Sequence, residues 1–211
     1  MLQIQTIAPA TLLILKQLMN DPQMEHFRLV GGTALALQLG HRISVDLDLF
    51  SQTPFDAQQL QENLEINHLL QTDYLAKGTV KGEINGVQID CIEHNYPWIK
   101  PLVEEDGIRL ASLEDISAMK LNAIAGNGTR IKDFIDVAEL SSVFSLNQML
   151  NFYEQKYNAN ILIPLKAIIY FDDINKSEPI KMADGKQFKW KKYQKRLLSM
   201  EKFPNKVFGK I

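Results

Sequence analysis

The chain has 211 residues, 45% of them apolar and 23% charged, a balance that excludes a disordered or fibrous protein and fits one domain or a core with an appendage. A single cysteine, Cys91, excludes a disulfide framework and a Cys-rich zinc site and suits a reducing cytoplasm. The formal charge of −2 hides a split: residues 1–180 carry 13 Lys+Arg against 23 Asp+Glu (net −10), and residues 181–211 carry 10 against 2 (net +8). Such asymmetry raises the question of an anionic partner, nucleic acid included.

In chain order, the opening residues have an apolar patch with no Lys or Arg before it, so no signal peptide is expected. Residues 10–20 read as a helix with Leu12, Leu15, Leu18 and Met19 on one stripe. Phe27 to Val30 reads as a strand closed by Gly31-Gly32, Thr33 to Leu39 as a helix ended by Gly40, and Ile43 to Phe50 as a strand of strict alternation. Pro54-Phe55-Asp56 opens a helix reaching about Leu70. Tyr74–Ile84 and Val87–Ile92 flank Asn85-Gly86, the pair that best supplies a type I′ hairpin turn, and Ile108–Leu110 adds a further strand. From Ser112, an N-cap, helices follow at about 113–125, 131–143, 146–157, 161–171 and 186–200. The longest apolar stretch, Ile161 to Phe171, is broken by Pro164 and Lys166 and falls short of the roughly 20 residues of a membrane span. The expectation is an α+β protein: a core at 1–110 with a small mixed β-sheet flanked by helices, then an all-α C-terminal region at 111–211 packed on it.

The chemistry concentrates between Leu29 and Phe50. A strand ending in Gly31-Gly32 lets main chain approach a ligand closely, and the helix beginning there offers unpaired N–H groups and a positive dipole end, a natural place for phosphate. Thr33 would add a hydroxyl. Asp46 and Asp48, two apart on a strand, project from one face while Val45, Leu47 and Leu49 take the other. Two carboxylates beside a phosphate site suit Mg²⁺, which shares its oxygen ligands with substrate phosphates. Asp90, in the apolar run Val87–Ile92, needs a cation or another partner if it is buried, and beside Asp46 and Asp48 it would complete a three-carboxylate cluster for two metals. Alone, Asp90 also fits an edge-strand surface. Arg42 and Ser44 are placed equally for substrate contact or for a turn or cap.

The pattern of hydrophobic-Gly-Gly, residues 33–45, Asp46-Leu-Asp48-Leu, and then Ile89-Asp90-Cys91 resembles the DNA-polymerase-β-type nucleotidyltransferase superfamily. Within it, Leu29-Val-Gly-Gly-Thr-Ala-Leu-Ala-Leu and Gly40-His-Arg-Ile-Ser-Val-Asp-Leu-Asp-Leu-Phe50 resemble the AbiEii/AbiGii toxin family over about residues 25–140. The resemblance implies NMP transfer from an NTP to an acceptor, RNA and in some relatives tRNA, by the toxin of a toxin–antitoxin or phage-exclusion system. It assigns Gly31, Gly32 and Thr33, with Arg42, Ser44, Arg130 and Lys132, to the NTP. Asp46, Asp48 and Asp90 are assigned to Mg²⁺, or to Mn²⁺ in its place. Lys120 would neutralise phosphate charge, and Asp133 and Asp136 match the last acids of the family pattern. Lys132 stands where many members have Arg, which keeps the charge and loses the bidentate fork.

Plainer readings stand beside these. Lys120 is by default a solvated or snorkelling lysine, and Asp133 and Asp136 equally fit a helix-start dipole role. Cys91 fits a buried small apolar residue better than a nucleophile. The four histidines have no ligand spacing, Gly126-Asn-Gly128 is a loop, and no P-loop motif is present. In the basic tail, Lys189, Lys192, Lys195 and Arg196 share one helical side and Trp190, Tyr193 and Leu197 another. Docking of that aromatic stripe on the body is favoured over direct RNA contact. The acceptor could equally be a protein or small molecule, and a catalytically inactive nucleotide-binding module is the remaining alternative. A cognate antitoxin is an implied partner; a membrane is not.

Overall fold

The computed structural model describes residues 1–211, which form two compact units: Met1–Pro97 with Pro101–Ala111, and Trp98–Lys100 with Ser112–Ile211. The first unit is built on a seven-stranded mixed sheet of order β3-β4-β5-β2-β1-β7-β6. β1 (Phe27–Leu29) runs antiparallel to β2 (Leu47–Ser51), and β2 runs parallel to β5 (Val87–Glu93). The alternation read in the sequence places Leu47, Leu49, Ile89 and Cys91 in the core at 1% exposure or less, while Asp48 and Asp90 take the other face. β4 (Thr79–Ile84) and β5 turn on Asn85 and Gly86, whose φ angles of 50° and 80° are those of a type I′ turn.

α1 (Pro9–Asn20) buries Leu15 and Leu18, and α3 (Ala57–His68) buries Leu60 and Leu64. The Asp56 carboxylate caps α3 by accepting from the Gln58 and Gln59 amides at 2.9 and 3.1 Å. α2 (Gly31–Leu39) is buried nearly all round, with Ala34 to Leu37 at zero exposure, and Gly40 (φ 73°) ends it.

Several boundaries differ from the sequence reading, the helices expected over 131–143 and 186–200 being Ile131–Leu140 and Trp190–Lys202. The expected arm Tyr74–Ile84 is two strands, β3 (Gln71–Ala76) and β4, because Lys77-Gly78 makes a turn in which Gly78 has φ 62°. The strand expected from Ile43 starts only at Leu47, since residues 43–46 join no ladder. A short β6 (Val103–Glu105) precedes β7 (Ile108–Leu110), joined by Asp106-Gly107 in the same turn chemistry as Asn85-Gly86. The helix expected over 161–171 is only α7 (Leu162–Ala167).

The second unit contains α4 (Leu113–Gly126), α5 (Ile131–Leu140), α6 (Leu146–Tyr157), α7 and α8 (Trp190–Lys202). α5 is its core: Phe134, Ile135, Val137, Ala138 and Leu140 have no exposure. Ser145 and Gln148 form a capping box on α6. Asp115 of α4 is wholly buried; it pairs with Lys156 of α6 at 2.8 Å and accepts from the Ile99 and Lys100 amides at 3.0 and 3.2 Å. The Lys156 ammonium also lies 4.4 Å from the centre of the Trp98 ring. The apolar stripe of α8 is docked, with Tyr193, Leu197 and Met200 buried. No helix is long and apolar enough to cross a membrane.

Candidate active site

The junction between β1 and α2 sets the geometry of the first unit's site. Val30 occupies the N-cap of α2 and has no side-chain oxygen, so no side chain caps the first-turn amides. Gly31 has φ 67°, and a Cβ there would stand 2.2 Å from Asp48 Oδ2, so the turn exists only because the residue is glycine. A Cβ on Gly32 would likewise meet Arg42 Nη2 at 2.2 Å. A carboxylate and a guanidinium therefore lie against the glycine pair at the positive end of a helix.

Arg42 and Ser44 are both buried here, with Arg42 Nη1 donating to the Ile43 carbonyl at 3.2 Å. Thr33 has a different task from the one expected. At 1% exposure, its hydroxyl donates to the Asp46 carbonyl and shares a 2.9 Å hydrogen bond with the Ser44 hydroxyl. Thr33 thus holds the approach to β2 in place and has no hydroxyl to offer a phosphate. Asp46 sits on that approach, exposed, two residues before the half-buried Asp48.

Asp48 and Asp90 are partners in the parallel β2–β5 ladder, and Lys81 on β4 is the partner of Asp90 in the antiparallel one. Register partners share a face, so Lys81, Asp90 and Asp48 form a row across three strands. Lys81 Nζ bonds Asp90 Oδ2. This alters the expected three-carboxylate cluster: nowhere do three Asp, Glu, His or Cys side chains gather into a metal-sized group. Asp90 is satisfied by an ammonium, while Asp46 stands out toward solvent. The oxygen-only donors of Asp46 and Asp48 fit a hard divalent cation. Cys91, next to Asp90, has its thiol pushed far above the usual range by burial and then by the Asp90 charge, so it is no nucleophile.

The second unit holds the other residues singled out in the sequence. Lys120 of α4 is buried, and its ammonium bonds Asp133 Oδ1 at 2.7 Å and Asp136 Oδ2 at 2.8 Å, both on α5. Two carboxylates share one lysine here, and Asp133 Oδ2 is buried without a hydrogen bond. Arg130 Nε lies 3.9 Å from that oxygen, and the Arg130 side chain is 63% exposed. Lys132 is paired with Glu178 at 2.6 Å. Lys120 is therefore not the solvated lysine of the plainer reading.

Sequence reasoning missed Lys81 and the Asp115–Lys156 pair. The signal for Lys81 was present, since counting back from the Asn85-Gly86 turn sets Ile84 against Val87 and hence Lys81 against Asp90. No local signal pairs Asp115 with Lys156, 41 positions apart.

Comparison with known proteins places this geometry. A family model described as "Nucleotidyl transferase AbiEii toxin, Type IV TA system" matches residues 13–72 and 94–202. An uncharacterized protein of Aquifex aeolicus (strain VF5) is 33% identical over 154 residues, 70% of this chain and 74% of its own length. Two H. pylori crystal structures share the fold. One, described as a candidate nucleotidyltransferase, has a TM-score of 0.55 at 16% identity, over 94% of this chain and 96% of its own. The other, JHP933, has a TM-score of 0.53 at 17% identity, over 94% and 93%. A glycine turn at a helix start, an Asp-x-Asp at the start of the adjoining strand and a family match over most of the chain agree: this protein belongs to the AbiEii nucleotidyltransferase toxin family.

Proposed function

We propose that the protein transfers NMP from an NTP to an RNA acceptor, tRNA being the first candidate, as the Mg²⁺-dependent cytoplasmic toxin of a toxin–antitoxin pair. The observation that carries this reading is the Asp48 carboxylate set against Gly31 at the uncapped N-terminus of α2, with Asp46 two residues before it. The start of α2 has no side-chain cap, and the helix dipole favours a phosphate's negative charge there. Arg42, pressed on Gly32, is the cation at hand for a phosphate oxygen. Thr33, itself bonded to Ser44, holds the Asp46 carbonyl and so fixes the main chain just before Asp48. Asp46 and Asp48 would hold Mg²⁺, or Mn²⁺, which when bound neutralises the phosphate charge that develops in phosphoryl transfer. Asp90 supports them from β5, its charge offset by Lys81. In the reaction an acceptor hydroxyl oxygen bonds the α-phosphorus, the bond to the β-phosphate oxygen breaks, and pyrophosphate leaves.

The test is incubation with each α-labelled NTP, Mg²⁺ and total RNA. RNA should be labelled, and Asp46→Ala combined with Asp48→Ala should abolish the label. Equal labelling by that double variant would sink the metal assignment. Label removed by protease and not by ribonuclease would move the acceptor to a protein.

A further inference from the structure

The basic end of the chain folds into a surface with its own chemistry. α8 buries Tyr193, Leu197 and Met200 along one stripe. Lys191, Lys195, Leu198 and Lys202, at i, i+4, i+7 and i+11, form a second stripe on the opposite side, and all four are exposed. Lys189 and Lys192 are exposed beside its start. None of these five lysines makes an ion pair.

The first half of this arrangement works against the helix that carries it. Lys191 and Lys195 are like charges one turn apart, and the first turn contains no acid, so Lys191 and Lys192 sit at the positive end of the dipole. Lys202, in the last turn and 5.4 Å from the centre of the Phe203 ring, suits its end of the helix, but Lys191, Lys192 and Lys195 gain nothing from theirs, and the apolar stripe keeps α8 in place. A local rule broken without a structural gain marks a site of function.

A cleft of about 320 Å³ opens beside the row, lined by Lys186, Gln187, Phe188, Lys189, Lys192 and Tyr193. The Phe188 and Tyr193 rings are 5.5 Å apart, and Phe188 is half-buried, so an aromatic edge lies among ammonium groups. The one acidic side chain lining the cleft, Asp184, is bonded by Lys186 at 2.8 Å. Cations that follow a strand, next to an aromatic that can stack a base, are the two elements of single-stranded nucleic-acid recognition.

We infer that α8 and the segment before it form a docking surface for single-stranded RNA, with the Lys191–Lys195–Lys202 row on phosphates and the Phe188 cleft receiving an unpaired base. As the surface that would hold the acceptor, it rests on the reading of the acceptor as RNA.

The probe is a fluorescent oligouridylate of about 20 nucleotides, titrated with the full chain by anisotropy at several KCl concentrations between about 50 and 200 mM. The triple variant Lys191→Glu, Lys195→Glu, Lys202→Glu should bind at least tenfold more weakly. With the three lysines changed to Gln instead, the slope of log affinity against log salt should shrink by about 2, three lost phosphate contacts at about 0.7 each. Phe188→Ala should weaken binding about fivefold or more and leave the slope unchanged. Circular dichroism checks that each variant is folded. Wild-type affinity and slope in the Gln variant would overturn the inference, as would tight binding of poly-glutamate with none of the oligonucleotide. The labelling of total RNA is scored separately. Oligonucleotide bound through these lysines with no RNA labelled would refute the acceptor reading alone, and RNA labelled with binding indifferent to the lysines would refute the docking surface alone.

Discussion

Gly31 is the residue on which the first unit's site depends most directly. Its φ of 67° is open to glycine at little cost, and the space its Cβ would fill already holds the Asp48 carboxylate. Gly31→Ala should therefore act twice. The left-handed backbone and the displaced carboxylate should lower stability by about 1–3 kcal/mol in urea unfolding. NMP transfer should fall by more than that loss explains, because Asp48 is moved. Normal transfer by a folded Gly31→Ala protein would show that the Asp48 position is immaterial. Thr33 and Lys81 give the same lesson in milder form, since each acts through an acid: Thr33 holds the Asp46 carbonyl and Lys81 takes an Asp90 oxygen.

At the scale of elements, a polar clasp joins the end of α1 to α3. Asp21 follows α1, and its Oδ2 accepts from Asn63 Nδ2 and meets His68 Nε2, both at 2.7 Å. Burial alone would raise the Asp21 carboxyl, but the hydrogen bonds from His68, Asn63 and the Gln23 amide outweigh it and hold it below its ordinary value. A carboxyl whose folded pKa is depressed contributes stability above its unfolded value, and that contribution is lost as pH falls through the folded one. Asp21→Asn should therefore be less stable than wild type in urea at pH 7, and the gap should close below the ordinary Asp range of about 3.9. A gap that is the same at pH 7 and at about pH 2.5 would mean the charge is irrelevant to the clasp. Turn chemistry belongs to this scale too. Asn85-Gly86, Lys77-Gly78 and Asp106-Gly107 each set the register of a strand pair, which is how Lys81 comes to lie opposite Asp90.

For the molecule as a whole, the core of each unit sets stability, and the second unit has a charged centre. Lys156 and Asp115 are both without exposure, and Asp115 also holds the Ile99 and Lys100 amides. Lys156→Met would keep the apolar stem and strand a buried carboxylate, at a cost of about 3–5 kcal/mol by thermal or urea unfolding. Asp115→Asn added to Lys156→Met should recover part of that loss, because the stranded charge is gone. A single variant within about 0.5 kcal/mol of wild type would show that water reaches the pair.

Much of this was legible in the residues themselves. Alternation along Leu47–Phe50 and Val87–Ile92, the Asn85-Gly86 turn, the caps at Ser112 and Asp56, and the Gly-Gly to Asp-x-Asp spacing are local patterns, so the α+β class and the family follow from reading along the chain. The segmental charge, −10 then +8, is likewise a property of sequence alone. What the chain folds against itself was decided only in three dimensions. That Thr33 is spent on Asp46, that Lys120 is shared by Asp133 and Asp136, and that Asp115 finds Lys156 all depend on contacts between elements distant in sequence. A side chain's charge is written in its identity, but its partner is set by packing, because burial makes an unpaired charge too costly to leave.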